Sequence, residues 1–355
     1  MDYNIDQIKS LEFKEAMRTK VSMYAGSADN QGAFQIFKEI LGNSIDEFMN
    51  NFGNKINIIF HPDNSISVED FGRGIPFSED IEDQTFIDVF TAPHTSGKFD
   101  HQAYKNSVGL HGIGLKLAAL TSLDFEASST RHDLIATIKL HKGEVVSYTI
   151  TKNTTKKKTG TYVRYLLDKD VFNVEKLDTK LNEITNFCRI SSFLNAGLQI
   201  NIDNKIDNEN NTFKSKGIID LINEDYPNQL IKPIKGFAED KTDKVEIAYT
   251  WHNSASENFF LFVNGMEIIN GGQPITGFRT GLTRTINNLI GEKLRGDNIR
   301  RGIIYIINIK CLNPSFSDQR KSQINNPNLR GLTDQAISNS LRDFHASDPN
   351  GFDKL

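Results

Sequence analysis

The segment EILGNSIDE, Glu39–Glu47, opens the part of the chain that decides the fold. Two more segments follow it in order: SVEDFGRGIP, Ser67–Pro76, and SGKFDHQAYKNSVGLHGIG, Ser96–Gly114. Each segment alone matches patterns that are common in unrelated proteins. In this order and at these spacings, however, the three segments together predict a single nucleotide-binding site.

The first segment is predicted to be helical, with its polar residues on one face. Side chains three or four residues apart share a helix face, so Glu39, Asn43 and Asp46 form one stripe. A glutamate in such a stripe can take a proton from water, and an asparagine amide oxygen is a hard ligand that suits Mg²⁺. An ordinary amphipathic helix with a solvated polar face would show the same spacing.

The second segment ends a predicted β-hairpin, in which apolar residues alternate from Ile56 to Asp70 around a Pro-Asp-Asn turn. Gly72 and Gly74 then allow the backbone to turn close to a ligand, where a side chain would collide. A carboxylate at the mouth of this turn can accept a hydrogen bond from an exocyclic amine such as that of adenine. A plain Asp/Gly-rich turn is the alternative.

The third segment is a glycine-rich loop that leads into a predicted helix. Backbone N–H groups in such loops and at helix N-termini bind anions, and Lys98 and Lys105 add positive charge. The glycine spacing differs from that of a Walker A loop. It is also not a dinucleotide fingerprint, because no βαβ unit with a later acidic residue frames it.

The three segments resemble the N-box and the two glycine boxes of the GHKL ATPases, most closely those of type IIA DNA topoisomerases (gyrase B and its topoisomerase IV counterpart). The resemblance implies an α/β fold, an α+β two-layer sandwich. Residues 1–210 would form the GHKL (Bergerat) ATPase domain, a mixed sheet with helices on one face. Residues 211–355 would form a smaller transducer domain with a βαβ crossover, after the polar run Ile202–Thr212.

The resemblance also implies a role for each matched residue. Glu39 would polarise the attacking water, Asn43 would hold Mg²⁺, and Asp70 would bind adenine. Gly109, Gly112 and Gly114 would donate backbone N–H groups to phosphate. The residues expected to contact ATP with Mg²⁺ are Tyr3, Asn43, Asp46, Asp70, Gly72, Arg73, Gly74, Ile75, Pro76, Lys98, Tyr104, Lys105, Gly109, Leu110, His111, Gly112, Ile113, Gly114 and Thr161.

Two regions far from these boxes also match the family. NPSFSDQRKSQINN resembles its Q-T-K loop, so Gln319 and Lys321 are expected to be catalytic, with Lys321 stabilising charge on the γ-phosphate. Tyr3 is expected to touch the nucleotide of a partner subunit. ATP would thereby close a homodimer, the N-gate that captures double-stranded DNA. Arg279 and Arg284 are expected to face that duplex.

The chain departs from the family pattern at several positions. Gln35 stands where the family has a histidine that orients the base, and a glutamine can donate a hydrogen bond but cannot carry a proton charge. Val108 replaces a glycine of the second glycine box. No toprim motif or DNA-cleaving tyrosine domain is present, so DNA cleavage would require another subunit or further domains. We expect a fragment of a longer subunit rather than a natural stand-alone one.

Composition excludes several classes of protein. The chain has 355 residues and a net charge of -4, so it is not a basic nucleic-acid coat. Its two cysteines, Cys188 and Cys311, favour a reducing compartment such as the cytoplasm over a disulfide framework. No apolar run reaches the ~18 residues of a membrane span. A MutL-like DNA-repair ATPase, a sensor histidine kinase and a stand-alone ATP-dependent clamp remain as alternatives.

Overall fold

A computed structural model describes residues 10–95, 113–172, 181–318, 321–353 and 355 of the chain. The chain divides into two compact units. Unit 1 comprises Met1–Arg189 and Leu198–Phe213, and unit 2 comprises Ile190–Gly197 and Lys214–Leu355.

The first part of the chain contains seven helices and eight strands within the described residues. They are α1 (Phe13–Thr19), α2 (Val21–Ala25), α3 (Asn30–Met49), β1 (Lys55–Phe60), β2 (Ile66–Asp70), α4 (Thr85–Thr91), α5 (Gly114–Thr121), β3 (Ser122–Arg131), β4 (Leu134–His141), β5 (Glu144–Lys152), β6 (Gly160–Leu167), α6 (Lys169–Phe172), α7 (Leu181–Leu194), β7 (Gln199–Asn204) and β8 (Glu209–Lys214).

The strands of unit 1 form one mixed sheet of eight strands in the order β5-β4-β3-β6-β2-β1-β7-β8. The predicted hairpin is confirmed, because β1 pairs antiparallel with β2 from Ile56↔Asp70 to Phe60↔Ile66. Its turn is closed by a 2.9 Å hydrogen bond from His61 N–H to the Ser65 carbonyl. Since β1 also pairs parallel with β7, the sheet is mixed, as expected.

The core of unit 1 lies between this sheet and its helices. Helix α3 begins after Asp29, whose carboxylate accepts hydrogen bonds from the N–H groups of Gln31 and Gly32. One side of α3 then buries Ile36, Phe37, Ile40 and Leu41 at helical spacing against strand residues such as Ile58. Glu39 and Asn43 lie beside this apolar stripe and are partly exposed.

Two elements differ from the sequence-based expectation. Helical spacing predicts a helix from Ile81, but α4 begins at Thr85, because the carboxylates of Asp80 and Asp83 accept hydrogen bonds from nearby N–H groups and favour turns. The polar run Ile202–Thr212, predicted to be a boundary, lies mostly in β7 and the edge strand β8 rather than in a loop, and the division between the two units follows it at Phe213. Polar residues suit an edge strand, because its outer side is solvated.

Unit 2 continues the chain with α8 (Ile218–Asp225), β9 (Ile234–Glu239), β10 (Lys244–Trp251), β11 (Asn258–Val263), β12 (Met266–Glu267), α9 (Gln273–Ile290), α10 (Gly296–Ile299), β13 (Ile303–Lys310), α11 (Pro327–Ser347) and α12 (Pro349–Phe352). The strands form a five-stranded sheet in the order β12-β11-β13-β10-β9. β11 and β13 are parallel neighbours and α9 lies between them in sequence, which is the expected βαβ crossover.

Two glycines allow α9 and α11 of unit 2 to pack closely. A Cβ on Gly277 would lie 2.2 Å from the Arg330 carbonyl oxygen, and one on Gly281 would lie 2.7 Å from a methyl group of Ile337. Below this contact, the Phe278 ring stacks on Tyr305 of β13 at 3.9 Å between centroids. The two helices therefore cover one face of the five-stranded sheet.

Among the described residues, no helix is both long enough and apolar enough to cross a membrane. Both cysteines are buried and form no disulfide bond, and burial raises the pKa of the Cys188 and Cys311 thiols.

Candidate nucleotide-binding site

Helix α3 presents the first group of site residues on one face. Glu39, Asn43 and Glu47 follow one another at intervals of four residues, so all three side chains project in similar directions. Gln35, one turn before Glu39, donates a 3.1 Å hydrogen bond from Nε2 to Glu39 Oε1. The carboxylate is thus oriented by a neutral amide, which carries no charge of its own.

Glu39 lies directly against the start of α5. A Cβ added to Gly114 would lie 2.5 Å from the Glu39 Cβ and 2.8 Å from its Oε2. The first N–H groups of a helix have no acceptor within that helix, and they therefore favour an anion. The structure thus brings the carboxylate of the first segment to Gly114, the last residue of the third segment and the first of α5. Ile113, also expected at the site, precedes α5 and packs against the core.

Asp70 ends β2 and is 7% exposed. Its Oδ1 accepts hydrogen bonds from Gly72 N–H at 2.9 Å and from Thr161 N–H at 3.2 Å, and its Oδ2 accepts one from Ser44 Oγ at 3.2 Å. Burial raises the pKa of the Asp70 carboxyl to about 6, although the two N–H donors oppose this rise. At neutral pH Asp70 is therefore a buried carboxylate whose orientation is fixed by three hydrogen bonds.

Arg73 is held in place by Glu47. The Glu47 carboxylate accepts from the Arg73 backbone N–H at 2.9 Å, from Nε at 3.0 Å and from Nη2 at 2.9 Å. The Arg73 guanidinium also lies 4.4 Å from the centroid of the Phe52 ring. The contact between Glu47 and Arg73 requires a glycine at position 72, because a Cβ on Gly72 would lie 2.7 Å from the Glu47 side chain.

The loop after Arg73 is tied to β3. Gly74 has a φ of 73°, a conformation that favours glycine, and its carbonyl accepts a 3.1 Å hydrogen bond from Arg131 Nη1. The Ile75 carbonyl accepts a 2.7 Å hydrogen bond from Ser129 Oγ. Pro76 follows and is exposed. The backbone of this loop is therefore fixed by two side chains of a neighbouring strand.

Four further predicted residues are described by the structure: Asn43, Asp46, Thr161 and Lys321. Asp46 is completely buried on α3, whereas Asn43 is partly exposed. Thr161 lies near the start of β6 beside Asp70, and its contact with adenine stays a prediction. Lys321 belongs to unit 2, where its ammonium lies 5.9 Å from the centroid of the Phe316 ring. Its contact with nucleotide stays a prediction.

Nine of the predicted residues lie outside the described part of the chain. They are Tyr3, Lys98, Tyr104, Lys105, Gly109, Leu110, His111, Gly112 and Gln319. Arg279 and Arg284, expected to face DNA, are described. Their guanidinium groups pair with Glu257 and Asp334 respectively.

Sequence reasoning missed several residues that build the site. Glu47 could have been found, because it lies four residues after Asn43 and eight after Glu39 on the same helix face. Ser44, Ser129 and Arg131 gave no signal, since their partners are distant in sequence and meet them only in the folded sheet.

The residues present fit ATP and Mg²⁺ in their chemistry. A Cβ on Gly72, Gly74 or Gly114 would collide with Glu47, Ser129 or Glu39 respectively, so the absence of side chains at these glycines lets the residues of the site pack against the backbone. Asn43 offers a hard amide oxygen one helical turn from Glu39, which suits Mg²⁺. Asp70 supplies a buried acceptor at the other end of the same surface, as an adenine amine requires.

Comparison with known proteins gives matches over both halves of the chain. The family described as histidine kinase-, DNA gyrase B-, and HSP90-like ATPase matches residues 28–171, and the DNA gyrase B family matches residues 215–355. The gyrase B protein of Haloferax volcanii is 31% identical over 98% of this chain and 57% of its own length. The gyrase B protein of Streptococcus pneumoniae is 32% identical over 98% of this chain and 56% of its own length.

Solved structures agree on the fold. The 43K ATPase domain of Thermus thermophilus gyrase B, in complex with an aminocoumarin, has a TM-score of 0.82 and 21% identity, covering 96% of this chain and 92% of its own. The gyrase B structure from Myxococcus xanthus has a TM-score of 0.80 and 15% identity, covering 97% of this chain and 99% of its own.

The family matches and the fold agree with the geometry of the site. The chain spans slightly more than half the length of the curated relatives that it matches. The matches do not favour a MutL-like repair ATPase, a sensor kinase or a stand-alone clamp. The matches give a GHKL-type ATPase region followed by a gyrase B region, which is the order that the resemblance predicts. The chain therefore belongs to the DNA gyrase B family of type IIA topoisomerase ATPases.

Proposed function

We propose that this chain is the ATP-binding and ATP-hydrolysing N-gate region of a type II DNA topoisomerase. The observation that supports the proposal is the contact between Glu39 and Gly114, because a carboxylate there could act as a base on a phosphate held at the start of α5. Asp70 lies on the same surface and supplies the adenine acceptor. No other function is favoured by a specific observation.

Nucleotide recognition begins at the adenine end. Asp70 accepts the hydrogen bond from the exocyclic amine, and its own orientation is set by the N–H groups of Gly72 and Thr161. Arg73 and the Gly74–Pro76 loop form the outer wall of the base site. Because Glu47 and Arg131 already hold this wall, little ordering is required when the base binds.

Hydrolysis requires a base that is oriented before the nucleotide arrives. Glu39 orients the attacking water and accepts its proton, and the Gln35 amide keeps the carboxylate directed towards the start of α5. Asn43 would hold Mg²⁺, which when bound neutralises negative charge on the phosphates. Gln319 and Lys321 would complete the site at the γ-phosphate, by analogy with the family loop they resemble.

ATP binding is proposed to close a homodimer in which Tyr3 touches the partner's nucleotide. Closure would capture double-stranded DNA, and a DNA-cleaving subunit or further domains would complete strand passage. We place this assembly in the cytoplasm. The division into an ATPase domain at 1–210 and a transducer at 211–355 belongs to the same proposal.

The test compares binding and turnover in one variant. Glu39→Gln should keep ATP affinity, because the adenine and phosphate contacts remain, and should lower turnover about 10²–10⁴-fold, the usual contribution of a general base. Calorimetry measures the affinity and phosphate release measures turnover. The control is Glu82→Gln, which neutralises an exposed glutamate and should change neither quantity. A loss of less than tenfold in folded Glu39→Gln would show that Glu39 is not the base.

A further inference from the structure

Lys116 is a buried lysine that the proposed mechanism does not use. It is the third residue of α5 and is 1% exposed. Its ammonium group donates a 3.0 Å hydrogen bond to the Val89 carbonyl oxygen and a 2.5 Å hydrogen bond to the Thr95 carbonyl oxygen. Removing a charged group from water is costly, and an apolar side chain would fill the same space without that cost. The ammonium group therefore calls for a role beyond packing.

The first of these hydrogen bonds follows from the way in which α4 ends. Val89 lies in the last turn of α4, and the residue four positions later is Pro93, which has no N–H group. The helix therefore cannot satisfy the Val89 carbonyl by itself, and the Lys116 ammonium group does so. The negative end of the helix dipole also favours a cation at this position.

The second hydrogen bond joins two points of the chain that flank one segment. The glycine-rich third segment of the sequence begins at Ser96 and ends at Gly114, so Thr95 immediately precedes it and Lys116 follows it by two residues. Lys116 thus holds the two ends of this segment together, while Gly114 lies against Glu39. A loop whose ends are fixed loses less conformational freedom when it binds a ligand.

Burial lowers the pKa of the Lys116 ammonium group to about 8, and the negative charge of Asp88 on α4 opposes this fall. Glu39 of α3 lies at the start of the same helix. Further charged groups on the elements packed against α5 are held in ion pairs of their own: Lys14 with Glu144, Arg18 with Asp168, Asp124 with His141, Glu126 with Lys139 and Arg164 with Asp63. Lys116 is therefore a buried cation at neutral pH.

We propose that Lys116 is a positioning residue for the phosphate groups of the nucleotide, because it holds Thr95 and the end of α4 against α5 and so fixes both ends of the segment expected to bind phosphate. Lys116 acts through the backbone rather than by touching the phosphates. The inference rests on the nucleotide site proposed above and adds one requirement to it: affinity for the phosphate groups depends on this lysine, and affinity for the base does not.

Lys116→Met tests this role, because methionine keeps a side chain of similar length without the charge. Calorimetry compares ADP with adenosine, which present the same base and ribose, although only ADP carries phosphates. ADP is preferred to ATP because dimer closure is proposed for the triphosphate. Lys116→Met should bind ADP about tenfold more weakly than the parent, because hydrogen bonds from a charged donor are lost, and should bind adenosine equally well.

Lys152→Met is the matched control, since this exposed lysine of β5 removes the same charge from unit 1 and should change neither affinity. Equal ADP affinity in Lys116→Met and the parent would overturn this inference alone. An equal loss of affinity for ADP and adenosine would overturn it in favour of a general structural role. A parent chain that binds neither compound would overturn the proposed nucleotide site as well.

If Lys116→Met does not fold, NMR of the parent chain labelled at the lysine Cε atoms decides the matter. The Lys116 signal should titrate near pH 8, well below the usual lysine value of about 10.4. If ADP binds the charged form of Lys116 about tenfold more tightly, ADP must raise the midpoint of this titration by about one pH unit, whereas adenosine should leave it unchanged. A midpoint that ADP does not move would overturn the inference.

Discussion

The burial of Asp70 costs stability when its carboxyl group is ionised. Its carboxylate is buried and its pKa is raised to about 6, above the usual value near 4 in an unfolded chain. A carboxyl with a raised pKa favours the folded state fully below about pH 4, and this contribution is lost as the pH rises through 6. At neutral pH the protein therefore keeps a costly ionised group at the position proposed to accept a hydrogen bond from adenine.

Asp70→Asn is expected to bind ATP about ten- to a hundredfold more weakly, because a charge-assisted hydrogen bond is lost. The same variant should gain stability relative to the parent as the pH rises from 4 to 8, by up to about 3 kcal/mol. Calorimetric titration gives the affinity, and urea unfolding at both pH values gives the stability difference. Equal affinity in variant and parent would remove Asp70 from the adenine site, and a stability difference independent of pH would contradict the raised pKa.

At the level of elements, the site depends on the meeting of α3 and α5. The two helices are far apart in sequence. The Glu39 side chain fits against the start of α5 because Gly114 has no side chain. A methyl group there would lie against Glu39 and force either the carboxylate or the helix start to move.

Gly114→Ala should therefore lower ATP turnover by at least tenfold, because displacement of a catalytic group by about 1 Å can cost 10²-fold. Gly331→Ala is the matched control, since this exposed glycine lies in α11 with no atom within 4 Å of an added Cβ. It should leave turnover unchanged and raise stability by about 0.5–1 kcal/mol. Circular dichroism during thermal unfolding and phosphate release measure the two effects. Unchanged turnover in Gly114→Ala would mean that this contact is not part of the site.

For the whole molecule, the proposal joins residues from both ends of the chain. Tyr3 precedes the described residues and Lys321 belongs to unit 2, yet the resemblance assigns both to the triphosphate state of the nucleotide. Contacts that form in only one state are what shift a population towards that state.

A non-hydrolysable ATP analogue should therefore convert the chain from monomer to dimer, and light scattering should show the change in mass. Deletion of residues 1–9 should abolish the dimer while nucleotide still binds the monomer. Lys321→Ala should slow hydrolysis without preventing nucleotide binding, and Lys241→Ala, at an exposed lysine in the β9–β10 turn of the same unit, is its control. If the deletion variant dimerises as well as the parent, residues 1–9 play no part in closing the dimer.

The sequence by itself determined the family, the fold class and the order of the site segments, because these depend on local patterns. Helical spacing placed Glu39 and Asn43 on one face, and alternation with a Pro-Asp-Asn turn predicted the β1–β2 hairpin that ends at Asp70. The βαβ crossover of unit 2 came from family resemblance rather than from periodicity. Each of these features is confirmed by the structure.

Only the tertiary structure decided the contacts between distant segments. Ser129 and Arg131 hold the Gly74–Ile75 backbone because β3 and β2 both pair with β6, an arrangement that no local pattern encodes. The same pairing buries Tyr165 between Ile66 and Phe125 and leaves its hydroxyl without a partner among the described residues. Local sequence specifies the direction in which a side chain projects, whereas its burial, its pKa and its partners depend on which strands become neighbours.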